Sequence, residues 1–388
     1  MISKNAGLYI HVPFCRTKCP YCDFYSLAHV SRIQEFLDAL FMEIKLCAIG
    51  NTFPPFDTLY FGGGTPSLLS ADTISDLIHA LRLTFTFSNY GSEITLEANP
   101  ADLSSDYLSE IKKAGINRLT IGIQSFHTGI LKFLGRRHNG EEAIQAFHNA
   151  RSAGFENIGI DCMYGIPGQS LAEWTEDLQT AISLRPEHIS CYQLTISEKT
   201  PFGIRCRKGT LTELDEEAQY AFFEKTLHIL HDAGYEHYEI SNFARTASLR
   251  SKHNQKYWDH SPYLGLGPSA HSFLPESPEG RPKRWWNQYS ISDYITDLTQ
   301  QRLPIAGSEY LNHSELGLES LYLGLRTSSG VNLESYFKEY GRDLRRHPEG
   351  VVDMLIRENH ATIEDNILRL TLKGQALCDT IVGSLTTP

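Results

Sequence analysis

Over the first 245 residues, short apolar runs rich in β-forming residues alternate with longer stretches whose apolar positions recur at helical spacing. Strands are predicted at 8–12, 58–61, 93–96, 118–123, 157–163 and 189–194. Helices are predicted at 31–49, 73–83, 106–114, 143–153, 172–184 and 216–233, with Ser170 and Glu173 forming a capping-box signal before the fifth. Strand-to-strand intervals of roughly thirty to fifty residues suit right-handed crossovers between parallel strands. The pattern predicts an α/β fold, a partial (β/α)6 barrel of the TIM type over residues 1–245. Residues 246–307, where the alternation stops, read as a loop-rich connector holding His253, Tyr257, Trp258, Trp285 and Trp286. From 308 to 388, helical patterns at 316–324, 332–340 and 351–358 and a short alternating run from Leu368 predict a small α/β appendage.

The predicted strand ends share a chemistry. In chain order they deliver a cysteine cluster, Gly62-Gly63-Gly64, Glu97, Gln124, Asp161 and Gln193. Polar and metal-binding groups gathered at the C-terminal rim of parallel strands are the layout of an active site in such a barrel.

Composition narrows the function classes. A formal charge of −11 repels nucleic acid and anionic lipid, and the densest basic run, Arg345, Arg346 and His347, is too short to reverse that. No run reaches signal-peptide or membrane-spanning character, so the chain is expected in the cytosol. Thiols stay reduced there, and three of the eight cysteines, Cys15, Cys19 and Cys22, crowd one short loop after the first strand. Such a loop can grip three irons of a cubane and leave the fourth open to a substrate, whereas an electron-transfer ferredoxin closes its cluster with four ligands. A structural zinc site completed by His11 is the competing reading, and a packing role for the thiols is another.

The run Tyr9-Ile-His-Val-Pro-Phe-Cys-Arg-Thr-Lys-Cys-Pro-Tyr-Cys resembles the radical SAM superfamily, and within it the anaerobic coproporphyrinogen oxidase family. Tyr60-Phe-Gly-Gly-Gly-Thr-Pro-Ser is similar to that family's glycine motif. The resemblance implies a 4Fe-4S cluster on Cys15, Cys19 and Cys22, with S-adenosylmethionine on its open iron. Electron transfer into the sulfonium then breaks the bond to C5′ and gives a 5′-deoxyadenosyl radical. By motif it assigns the S-adenosylmethionine contacts to Tyr9, Tyr21, Gly63, Gly64, Thr65, Glu97, Gln124, Arg136, Asp161, Gln193 and His271. Carboxylates suit an amine and ribose hydroxyls, and an arginine suits a carboxylate.

Two branches of that family divide the function. One removes carboxylates from coproporphyrinogen propionates to leave vinyl groups. The other, the HemW-like branch, is a haem chaperone. Here Phe24 stands where the oxidases carry a fourth cysteine, and the short segment before Cys15 leaves no room for their N-terminal extension. His253-Asn-Gln-Lys-Tyr-Trp258 is similar to the HemW-like haem motif, which implies His253 as a haem ligand. Without that resemblance a histidine beside two aromatics reads as a packed loop residue. The resemblance also implies partners: haem or a porphyrinogen, an electron donor such as flavodoxin or ferredoxin, and a haem-accepting protein. An S-adenosylmethionine enzyme for an unrelated substrate is a third reading.

Overall fold

In the computed structural model, which describes residues 4–49, 53–89, 91–346 and 350–386, the six expected strands form one parallel array in chain order. His347 of the basic run lies outside the described residues. The strands are β1 (Ala6–Val12), β2 (Phe56–Gly63), β3 (Glu93–Ala98), β4 (Arg118–Gln124), β5 (Ile158–Tyr164) and β6 (His188–Gln193). Their two faces differ in chemistry. Leu8, Ile10, Leu59, Phe61, Leu96, Leu119, Ile121, Ile158, Ile160 and Ile189 have no solvent exposure and pack on one face. Against them lie the helices Ile33–Cys47, Ala71–Thr84, Ser105–Ala114, Gly140–Ser152, Leu171–Ser183 and Glu216–Asp232. The fifth of these starts in the expected capping box between Ser170 and Glu173.

The opposite face is polar. Tyr9, Tyr60, Thr95 and Arg118 stand in register across four strands, as do Asp161 and Ser190 on the next two. Side chains alternate between faces along a strand, so these positions share the interior while the apolar ones meet the helices. The array is open rather than closed. Beyond β6 it continues through antiparallel β7 (Glu236–Glu239) and β8 (Asn242–Ala244).

Beyond β1 the sheet takes on four strands that the sequence pattern hid in the expected loop-rich stretch. They are β9 (Tyr263–Leu266), parallel to β1, and the antiparallel β10 (His271–Leu274), β11 (Lys283–Asn287) and β12 (Ile305–Tyr310). Two of them have only four residues, too few for a period of two to stand out. The helix Lys252–Trp258, N-capped by the Ser251 side chain, packs beneath β1 and β2 on the polar face. It closes the N-terminal end of the interior, together with the buried ion pair between Arg118 and Glu93 at 3.7 Å.

The last segment has its own buried cluster, including Leu321, Leu325, Leu333, Leu355, Leu368 and Leu385. It surrounds a three-stranded antiparallel sheet of Val331–Asn332, Ile367–Leu370 and Ala361–Glu364. No helix among the described residues is long and apolar enough to cross a membrane.

Candidate functional site

The cysteine loop leaves β1 and is tied at its base by two backbone bonds, Cys15 N–H to Leu27 and Leu27 N–H to Pro13. Within it the Cys22 amide donates to the Cys19 carbonyl at 3.1 Å. All three thiols are free and partly buried. Thr65 Oγ1 donates to Cys15 Sγ at 3.4 Å, and Arg136 Nη1 approaches Cys19 Sγ at 3.8 Å. Burial pushes the Cys22 thiol up, and its neighbours Cys15 and Cys19 add to the shift. Three crowded thiolates repel one another, which is the electrostatic setting a cationic metal centre relieves.

The glycine motif holds this loop in place by steric necessity. A Cβ on Gly64 would stand 2.6 Å from the Phe14 carbonyl oxygen and 2.9 Å from the Phe14 nitrogen, the residue before Cys15. One on Gly63, whose φ is +108°, would meet the His11 ring at 2.7 Å. So the two glycines let the end of β2 lie against the loop that carries the thiols.

Beside the thiols opens a cavity of about 440 Å³ whose walls come from every strand end of the parallel array. Cys15, Cys19, Tyr21 and Cys22 form one side, and Gly63, Gly64 and Thr65 follow β2. Glu97, Gln124, Asp161 and Gln193 end the next four strands, and Arg136 reaches in from the loop after the helix Thr128–Phe133. Only a curved sheet brings six strand ends to one space.

The cavity is poised for a cation that also carries a carboxylate. Burial pushes Glu97 up to about 7; the Tyr60 hydroxyl, at 2.7 Å, pulls the other way and the nearby Asp161 adds to the rise. Burial likewise pushes Asp161 up to about 6, opposed by Ser190 and Arg136. Asp161 Oδ1 and Arg136 Nε are buried with no hydrogen-bond partner among the described residues. Unpaired buried groups are rare unless a ligand answers them. Gln124 has φ +75° at a register break between β4 and β5. A non-glycine residue there costs of order 1–3 kcal/mol, and such strain gathers at ligand sites.

Three of the expected site residues lie elsewhere. Tyr9 stacks between Tyr60 and His253, and its hydroxyl meets His11 Nδ1 at 3.2 Å. His271 sits on β10, beyond the cavity wall. His253, 1% exposed, lies under the β-sheet: Nδ1 meets Thr58 Oγ1 at 2.8 Å and Nε2 meets the Tyr257 hydroxyl at 2.9 Å. In this arrangement neither of its ring nitrogens is free for a metal. Burial first, then Lys256, presses its pKa down to about 3, so the ring is neutral. His11 is engaged in the same way, with Nε2 at 2.8 Å from the Tyr25 carbonyl and Nδ1 at 3.2 Å from the Tyr9 hydroxyl, so it is not free to complete a zinc site there.

Thr120, Met163 and Tyr192 line the cavity and Tyr60 stands behind Glu97; none of them is assigned a site role by the sequence. The signal for Tyr60 was its place in Thr58-Leu-Tyr-Phe-Gly62, where every second residue is polar or small.

Residues 9–181 match the Radical SAM superfamily model, and residues 311–377 match the HemN C-terminal domain. The chain is 34% identical to "Heme chaperone HemW" of Bacillus subtilis (strain 168) over 377 residues, 97% of this chain and 98% of the relative. The chain belongs to the HemW-like branch of the radical SAM superfamily. The HemW of Haemophilus influenzae (strain ATCC 51907 / DSM 11121 / KW20 / Rd) is 40% identical over 274 residues, covering 69% of this chain and 70% of its own. A bovine relative, "Radical S-adenosyl methionine domain-containing protein 1, mitochondrial", is 32% identical over 399 residues, covering 99% and 88%. The solved coproporphyrinogen III oxidase HemN of Escherichia coli shares the fold with TM-score 0.83, at 21% identity, over 99% of this HemW-like chain and 91% of its own.

Proposed function

We propose that this chain is a haem chaperone that holds a 4Fe-4S cluster on Cys15, Cys19 and Cys22 and S-adenosylmethionine in the adjoining cavity. The observation that carries the reading is the pairing of a three-thiol loop with a cavity in which Asp161 Oδ1 and Arg136 Nε have unanswered hydrogen-bonding capacity. The donor set fits the group. Three free thiols on one short loop can each take a separate corner of a cubane. Bound there, the cluster supplies one electron to the sulfonium.

The protein's own residues do the rest. Glu97 and Asp161 offer negative charge to the ammonium, sulfonium and ribose hydroxyls, and Arg136 faces the thiols and the carboxylate end of the ligand. Tyr21, Gly63, Gly64, Thr65, Gln124 and Gln193 shape and hydrogen-bond the space. Haem as cargo is supported by the HemW relatives, which match nearly the whole chain. An electron donor of the flavodoxin or ferredoxin kind and a haem acceptor complete the scheme, in a compartment that keeps thiols reduced.

The test is haemin titration of the anaerobically reconstituted chain. Saturable binding at micromolar haemin, with no conversion of coproporphyrinogen when reductant and S-adenosylmethionine are supplied, is the expected pair of results. Protoporphyrinogen formation would make the chain an oxidase, and absence of haem binding would remove the chaperone reading.

A further inference from the structure

The thiol loop leans on a basic surface that the chain's overall charge conceals. No single run of the sequence is strongly basic, yet the fold brings three segments together at Pro20, which lies between Cys19 and Cys22. The Phe202 amide donates to the Pro20 carbonyl at 3.0 Å, and a Cβ on Gly135 would stand 2.9 Å from Pro20 Cδ. The loop therefore rests on the helix Pro201–Arg207 and on the turn after the helix Thr128–Phe133. Residues 15–22, 128–138 and 198–210 contain a single carboxylate, Glu198, in a chain where acidic residues outnumber basic ones by 46 to 35.

Lys132, Lys199, Arg205, Arg207 and Lys208 are exposed on this side, and contacts fix where the charges stand. Arg205 lies over the rings of Phe133 and Phe202, at 5.7 and 5.6 Å, and Arg207 donates to the Glu198 carbonyl. Among the described residues none of the five is in an ion pair with a carboxylate. The next acidic side chains, from Glu213 onward, come only after the left-handed turn at Gly209, where φ is +68°. Pro201 and Ile204, the latter 40% exposed, supply apolar surface among the charges. At a rise of 1.5 Å per residue Lys208 lies only about 9 Å along the helix from Phe202, which is bonded to the thiol loop.

The occupant follows from charge and from need. The electron that the cluster gives to the sulfonium has to come from outside the chain, and a negatively charged protein is what this surface attracts. We infer that it docks a small acidic one-electron carrier protein, whose electron enters beside Pro20. The inference rests on the cluster reading and locates its reductant. One electron leaves the carrier's reduced cofactor and enters the oxidised cluster, with no bond made or broken. Opposite charges steer such an encounter, and a contact below about 1,200 Å² suffices for it.

The experiment uses the anaerobically reconstituted full chain at low ionic strength, with a purified acidic flavodoxin as probe. Calorimetry with the oxidised flavodoxin reads affinity, and stopped-flow absorbance with the reduced one reads cluster reduction. The chains compared are the wild type, Lys132→Glu with Lys208→Glu, and Lys113→Glu with Lys225→Glu. The last pair makes the same change of charge at exposed positions on the helices Ser105–Ala114 and Glu216–Asp232. Affinity and reduction rate should each fall at least about tenfold in the first pair and less than about threefold in the second. That difference should shrink at about 1 M salt, where charges are screened beyond about 3 Å. Dithionite should give the full reduced-cluster EPR signal in all three, which reports an intact fold and site. Equal affinity and rate in the two double variants, or no flavodoxin binding to a wild type that dithionite reduces, would overturn the docking surface and leave the cluster reading standing. Binding of a DNA duplex that only the first pair abolishes, with flavodoxin unaffected, would give the surface to a nucleic acid and overturn it as well. A wild type holding no cluster for dithionite to reduce would instead remove that reading, and this inference with it.

Discussion

Replacing Gly64 by alanine isolates the contact that holds the thiol loop against β2. The new Cβ meets the Phe14 oxygen at 2.6 Å, where ordinary contact begins at 3.4 Å, and the Val12 oxygen at 2.9 Å. All its close neighbours are backbone atoms, so no side chain can swing away. Retreat by about 0.8 Å has to come from the segment leading into Cys15, where the Cys15 amide donates to the Leu27 carbonyl and the Val12 carbonyl accepts from the Gly64 amide itself. Overpacking of this kind costs about 1–3 kcal/mol. An apo chain with that loss should still fold, melting a few degrees lower. The thiols, displaced by a fraction of an ångström or more, should hold the cluster poorly. The assay is iron and labile sulfide per chain after anaerobic reconstitution, beside the apo melting temperature. Gly129→Ala is the control, because nothing lies within 4 Å of its Cβ and its φ is ordinary. Full cluster content at wild-type stability in Gly64→Ala would refute the steric account.

Further outcomes follow from the same structure. The raised pKa values of Glu97, about 7, and Asp161, about 6, mean that a proton competes with a cationic ligand. Affinity for S-adenosylmethionine, measured by calorimetry on the reconstituted chain, should therefore rise from pH 5.5 to pH 8, by up to about tenfold per pH unit for each proton released. A flat profile would contradict it. In the apo chain the sign is opposite: a carboxyl raised on folding favours the folded state below its unfolded value near 4.5 and loses that advantage as pH rises toward about 7. Ligand-induced thermal stabilisation should accordingly be larger at pH 8 than at pH 6. His253→Ala removes a buried ring stacked on Tyr60 and Tyr9 and strands Thr58, so denaturant unfolding should show a loss of about 2–4 kcal/mol with the cluster site intact. Gln124→Gly relieves the positive φ and should change stability by less than about 1 kcal/mol while weakening S-adenosylmethionine binding.

What could be read from residues alone was whatever depends on short spacing. The thiols of Cys15, Cys19 and Cys22 lie within one loop, and the six parallel strands each contain enough β-rich residues to stand out. Strand ends were legible too, since Glu97, Gln124, Asp161 and Gln193 directly follow or close apolar runs and do meet in one cavity. Residues whose role is set by distant partners were not. His253 reads as an available imidazole until Thr58, 195 positions away, and Tyr257 take both its nitrogens. Tyr9 and His271 match a motif, yet their neighbours across the sheet put them in a different recess. The strands β9 to β12 stayed hidden because pairing of β9 with β1, and of the others in turn with β9 and one another, defines them rather than local propensity. The triple glycine was legible as a motif at a strand end, while its reason, backbone against backbone at Phe14, required the fold.

The central proposition is that three thiolates hold a cubane with one iron facing the cavity. EPR of the anaerobically reconstituted and reduced chain, recorded with and without S-adenosylmethionine, tests it most directly. A 4Fe-4S signal that shifts on addition of the ligand, and that is absent when Cys15, Cys19 and Cys22 are replaced by alanine, is the predicted result. Zinc in place of iron, or a cluster signal indifferent to S-adenosylmethionine, would contradict it.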